Sequence, residues 1–169
     1  METYESEYTF IFNSLPKNTA ELEATPESSF DTPFKTAALA IAALCGYEND
    51  PDSANAMLDV LKGPDSLSVY EKQFIRDRLA GKYYVPFSFF AGAVPENNYT
   101  PDQPYTITVY ANPYSFQNEN WATLYVKSGG ADSQRPLRLR KKPSTEQWFL
   151  VEIQCLSDIR IPVESDPWA

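Results

Sequence analysis

Five of the chain's fourteen basic residues fall within eight positions, as Arg135, Arg138, Arg140, Lys141 and Lys142. Alternation along an extended strand puts Arg138, Arg140 and Lys142 on one side. Guanidinium groups held there suit a carboxylate or another anion, which they bind through paired N–H donors. Trp121, Tyr125 and Trp148 are expected on the same side with Glu152, so aromatic rings stand beside charged groups, a mixture that suits a groove for a peptide or a sugar. Each feature also has a plainer use. Cations on a short strand bounded by Pro136 keep a sheet edge from pairing with another molecule, and the aromatic residues can simply lie beneath a helix or a loop.

Other chemistry is thinly represented. Glu96 and Asp102 flank a loop and are the residue types of a general acid and a general base, but spacing in a loop sets no distance between them. Histidine is absent, which removes the histidine-dependent triads, most catalytic zinc sites and the common switch near neutral pH. Gly129-Gly130 lacks the lysine and helix of a phosphate loop and is expected as a hairpin turn, and Asn98-Tyr99-Thr100 is expected as a turn rather than a glycosylation site. The two cysteines, Cys45 and Cys155, fall on apolar faces of different elements and are expected as reduced core thiols, with a disulfide as the alternative. No cofactor or metal motif is present.

The elements that must position these residues are legible in the hydrophobic periodicity. Residues 105–110, 121–127, 137–142 and 148–156 alternate with period two and predict an antiparallel meander. Its inner face is expected to carry Ile107, Val109, Ala122, Leu124, Val126, Leu137, Leu139, Phe149, Val151, Ile153 and Cys155. Its outer face should carry Thr106, Thr108, Tyr110, Thr123, Lys127 and Gln154 besides the basic and aromatic set. Residues 8–12 predict a short strand able to add to the sheet edge, and residues 1–7 are expected to fray. A single helical turn is predicted around residues 20–23.

Three longer helices are predicted. Thr32 or Asp31 caps the first at Pro33, and Gly46 is expected to end it in a left-handed conformation. Residues 37–45 are apolar throughout, so this helix must be enclosed. Asp50-Pro51 starts a second, ended by Gly63-Pro64. Ser68 and Glu71 form a capping box for a third, whose apolar stripe is Tyr70, Phe74, Ile75 and Leu79. Residues 82–103 are proline-punctuated and aromatic, which predicts an ordered loop that packs down. Helices followed by strands give an α+β fold, with the N-terminal helices packed on one face of the C-terminal meander in one domain over residues 1–169.

The net charge of −9 is unevenly placed. Residues 1–66 hold 12 acidic and 3 basic residues, whereas residues 67–142 hold 6 and 10. An acidic chain repels nucleic acid and anionic lipid, so neither is expected as a partner. The acidic start contrasts with the basic and then apolar pattern of a secretory signal, and no run approaches the roughly 20 apolar residues of a membrane span. The expected location is therefore cytoplasmic.

Several stretches together resemble an uncharacterised family of proteins from gut-associated anaerobic bacteria. They are Tyr70-Glu-Lys-Gln-Phe-Ile-Arg-Asp-Arg78, Tyr84-Val-Pro-Phe87, Pro95 through Val109, Ser128-Gly-Gly-Ala-Asp-Ser133, Leu139-Arg-Lys-Lys142, Gln147-Trp-Phe-Leu150, Ser157-Asp-Ile-Arg160 and the Asp166-Pro-Trp-Ala169 ending. The resemblance implies membership and transfers no activity or site residue. The order of elements also resembles the cone-shaped fold of nuclear-transport-factor-like proteins, which hosts enzymes and binders alike. The functional expectation is a non-enzymatic binding module that presents Trp121, Tyr125, Arg138, Arg140, Trp148 and Glu152 to a protein or acidic peptide. A small carboxylate-based hydrolase is the alternative. Nothing in the sequence sets the oligomeric state.

Overall fold

The N-termini of the helices show how closely local sequence sets this architecture. In the computed structural model, which describes residues 3–169, Thr32 Oγ1 accepts the Lys35 amide at 3.2 Å and Pro33 opens helix α2 (Pro33–Leu44). Asp50 accepts the Ser53 amide at 3.1 Å ahead of α3 (Pro51–Lys62). The reciprocal Ser68–Glu71 capping box starts α4 (Val69–Leu79). The shorter α1 (Thr19–Glu23) is capped by Asn18. Gly63 ends α3 with a positive φ of 67°, as its type allows. Gly46 does not take the expected left-handed conformation; the chain runs on from α2 in right-handed turns in which Gly46 and Tyr47 donate to Ala43 and Leu44.

All residues of α2 except Lys35 are buried, and the helix touches all five strands. Its alanines let the backbone lie close to the sheet. The strands are β1 (Glu7–Phe12), β2 (Tyr105–Tyr110), β3 (Trp121–Val126), β4 (Arg135–Lys142) and β5 (Gln147–Ile153), antiparallel and adjacent in chain order. This is the expected α+β fold with a meander, and β1 adds to its edge as predicted. Residues 1 and 2 of the expected frayed start lie outside the described residues. Tyr4 is docked, its ring stacked on Phe116 at 5.0 Å.

Ile107, Val109, Ala122, Leu124, Val126, Leu137 and Leu139 are all buried on the inner face. The expectation fails in β5. Leu139 pairs with Leu150 and Arg138 with Glu152, so Val151 is an extra residue in a bulge. A bulge reverses the phase of alternation. Beyond it the expected faces hold, with Glu152 outward and Cys155 in the core. Before it they are inverted: Trp148 and Leu150 are buried, while Phe149 is not. Trp148 therefore belongs to the core and not to the outer face.

The free side of β5 is closed by helices rather than by another strand. The Trp148 amide donates to Phe30 O at 2.7 Å, Thr36 Oγ1 donates to Trp148 O at 2.8 Å, and Lys62 Nζ donates to Val151 O at 2.9 Å. Backbone groups at a sheet edge need such partners when they are buried. The aromatic loop packs down as predicted, with Val85, Phe89, Phe90 and Tyr99 buried. It lies so close to the β3–β4 turn that a side chain at Gly129 would meet Ala93 O at 2.0 Å. Both cysteines are free and buried, and burial pushes the Cys155 thiol up to about 12.

Candidate functional site

The outer face of the sheet has the central strands β3 and β4 as its floor. Trp121 sits opposite Arg140, Thr123 opposite Arg138 and Tyr125 opposite Pro136. Because Cβ atoms on one face recur every second residue, Arg138 and Arg140 both reach the Trp121 ring. Their guanidinium carbons lie 5.1 and 4.9 Å from its centroid, within cation–π range. Arg138 also forms an ion pair with Glu152 at 3.0 Å, and Gln154 donates to the other Glu152 oxygen at 2.8 Å. Neither Arg140 nor Lys142 has a carboxylate partner among the described residues. The pattern continues on β2, where Lys127 Nζ lies 4.3 Å from the centre of the Tyr110 ring and Tyr110 faces Tyr125.

Of the six residues expected at the site, the structure brings Trp121, Arg138, Arg140 and Glu152 together and sets Tyr125 on the same face, diagonal to Arg138. Trp148 is the exception, 3% exposed and edge-on to Phe116. At the β5 end of the face, a hollow of about 250 Å³ is lined by Trp121, Arg140, Lys142, Phe149, Pro64 and Asp65. Phe149, Pro64 and Asp65 were not foreseen. The signal was present in Gly63-Pro64, a helix stop with no side chain: a Cβ at Gly63 would fall 2.4 Å from the Phe149 ring.

A second hollow, of about 410 Å³, separates α4 from β5. Its walls include Leu67, Phe74, Ile75, Val151 and Ile153, with Tyr70 at the rim. Tyr70 was expected in the apolar stripe of α4 but is 79% exposed. Lys62, buried between the two hollows, holds Glu71 at 2.6 Å. Partial burial acts to raise the Glu71 pKa, but the hydrogen bonds from Lys62 and the Ser68 amide, with the Lys62 charge, outweigh it and leave the carboxyl below its ordinary range. Glu71 and Glu152 thus line one hollow, but each is held by a cation.

Residues 14–163 match the model of a domain of unknown function, DUF6935. The chain belongs to the DUF6935 family. That assignment covers the helices, all of β2 to β5 and both hollows, and it brings no site residues with it. No curated protein and no solved structure matches, so the likeness to nuclear-transport-factor-like proteins rests on element order alone. Among the described residues no cluster of three or more acidic or cysteine side chains could hold a metal ion, and no helix is long and apolar enough to cross a membrane.

Proposed function

We propose that this DUF6935 domain is a non-enzymatic binding module that captures an acidic, aromatic-bearing peptide segment of a protein at the Trp121–Arg140 end of its outer sheet face. The observation that carries this reading is the Trp121 ring under two guanidiniums, one of which, Arg140, has no carboxylate partner among the described residues. An arginine stacked on an aromatic ring keeps its in-plane donors free, so a carboxylate can still be bound through paired hydrogen bonds. Phe149 and Trp121 supply apolar walls beside it. The overall charge of −9 opposes nucleic acid as the anion. Two free, sealed thiols suit a reducing compartment and support the cytoplasm as the proposed location.

The carboxylate hydrolase has one observation on its side, that Glu71 and Glu152 line the same hollow. A general acid, however, needs a carboxyl whose pKa is raised. The Glu71 pKa is lowered, and Glu152 is tied to Arg138 and Gln154, so binding is the better-supported reading.

The test uses a fluorescent peptide that combines glutamate, aspartate and one tryptophan. Binding is expected to weaken as salt is raised, because exposed charges are screened. Arg140→Ser should weaken it by about tenfold or more, on the scale of an interface anchor. Unchanged affinity in that variant would remove the proposal.

A further inference from the structure

The segment from Ile161 to Trp168 has the chemistry that this face would take. It contains Glu164 and Asp166 and no base. Ile161 is 45% exposed, Val163 41% and Trp168 92%. This is a braced segment rather than a frayed one. The Asp166 carboxylate accepts the Trp168 amide at 2.8 Å, and the Ser165 and Asp166 amides donate to Pro162 and Val163. Pro162 and Pro167 restrict the backbone further. At its base the Arg160 amide donates to Gly130 O at 2.9 Å, and Tyr99 Oη donates to Arg160 O. A backbone already held in place lowers the conformational entropy lost when the exposed Trp168 side chain binds.

The segment does not meet the basic face of its own molecule. It is anchored at the Arg135 end of β4, where Arg135 Nε donates to Ser157 O and Nη2 to Asp158 O. From there it runs against residues 95–97. Arg140 and Lys142 lie five and seven residues further along the strand, roughly 16 to 23 Å at strand rise. Charge complementarity therefore links opposite ends of the domain: an acidic, tryptophan-bearing end and a basic, tryptophan-walled end.

Resting on the binding reading above, we propose that the captured peptide is residues 161–168 of a second copy of this chain. Trp168 enters the hollow beside Trp121 and Phe149, and Glu164 and Asp166 face Arg140 and Lys142. Such a contact joins different surfaces of the two copies, so it builds head-to-tail rings or chains rather than a two-fold dimer.

Complementation between variants tests it. In sedimentation over micromolar to millimolar protein, the wild type is expected to grow in mass with concentration, and less so in high salt. Trp168→Ala and the double variant Arg140→Ser with Lys142→Ser should each stay monomeric. Their equimolar mixture should form a dimer and nothing larger, because one supplies only an intact face and the other only an intact segment. A wild type that stays monomeric throughout, or a Trp168→Ala variant that associates like the wild type, would overturn self-capture. The two proposals fail separately. If the double variant loses the fluorescent acidic peptide while the wild type is monomeric, the face stands and its occupant is another protein; if the double variant keeps the peptide, the face itself falls.

Discussion

β3 and β5 flank β4, and each contributes one tryptophan, yet the two side chains serve opposite ends. Trp121 is half-buried, opposite Arg140, with two guanidiniums on its ring. Trp148 is opposite Lys141, faces the core and is fixed at its backbone by Phe30 and Thr36. Residue type is the same and strand geometry is similar. What differs is the cover: β5 is an edge strand that α2, α3 and the turn at Phe30 wrap, while β3 is central and its outer side chains, Trp121, Thr123 and Tyr125, are only half-buried. An aromatic residue becomes available for recognition where the fold has already met its packing needs elsewhere.

Truncating the two tryptophans gives the widest separation. Trp148→Ala should lower stability by about 3 to 5 kcal/mol, the range for opening a large core cavity, whereas Trp121→Ala should lower it by about 1 to 2 kcal/mol, the scale of two exposed cation–π contacts with a half-buried ring. Chemical denaturation of both variants measures the difference, and equal losses would break the contrast. Trp148→Phe sharpens it. The indole N–H of Trp148 is buried with no partner among the described residues, so the phenylalanine variant loses no hydrogen bond and should retain most of the stability that alanine forfeits.

The cover over β5 can be tested at Gly63. Its φ of 67° disfavours any side chain, and a Cβ would lie 2.4 Å from Phe149. Gly63→Ala should destabilise by about 1 to 3 kcal/mol through overpacking. Wild-type stability would mean that α3 does not seal this edge.

The sequence made β1 to β4, the N-terminal caps of α2 to α4 and the aromatic loop legible because each rests on local rules: period-two alternation, a capping side chain at a helix start, a proline that forbids a strand. Four of the six expected site residues lie in contact for the same reason. β5 was different. Trp148, Phe149, Leu150 and Val151 are all apolar, as suits a strand covered on both faces, so alternation there carries no phase. In the bulge, Val151 O accepts from Lys62, 89 residues away, and no local pattern encodes that contact. The hollow between α4 and β5 was equally hidden, because α4 stands off from β5 through tertiary packing.

Lys62 links the covered edge to pH. Because the Glu71 pKa is lowered in the folded protein, Glu71 contributes stability that is fully present above its unfolded value of about 4.3 and lost as pH falls through the lower folded value. Glu71→Gln should therefore melt below the wild type at neutral pH, and the gap should close as the solution is acidified through that window. A gap that widens on acidification would reverse the assigned sign.

The smallest effect belongs to the outer face. Arg138 and Glu152 are directly opposed across β4 and β5 with side chains 39% and 46% exposed. Water screens such a pair, and ordering two long side chains offsets much of the attraction. A double-mutant cycle with Arg138→Ser and Glu152→Gln should give a coupling of about 0.2 to 1 kcal/mol that shrinks with added salt. The same arginine touches Trp121, so its removal should matter more to an acidic peptide than to folding. Coupling above about 2 kcal/mol would place the pair among structural networks. The outer face of β3 and β4 would then be under the same stability constraint as β5, and the separation between a packed tryptophan and an available one would not hold.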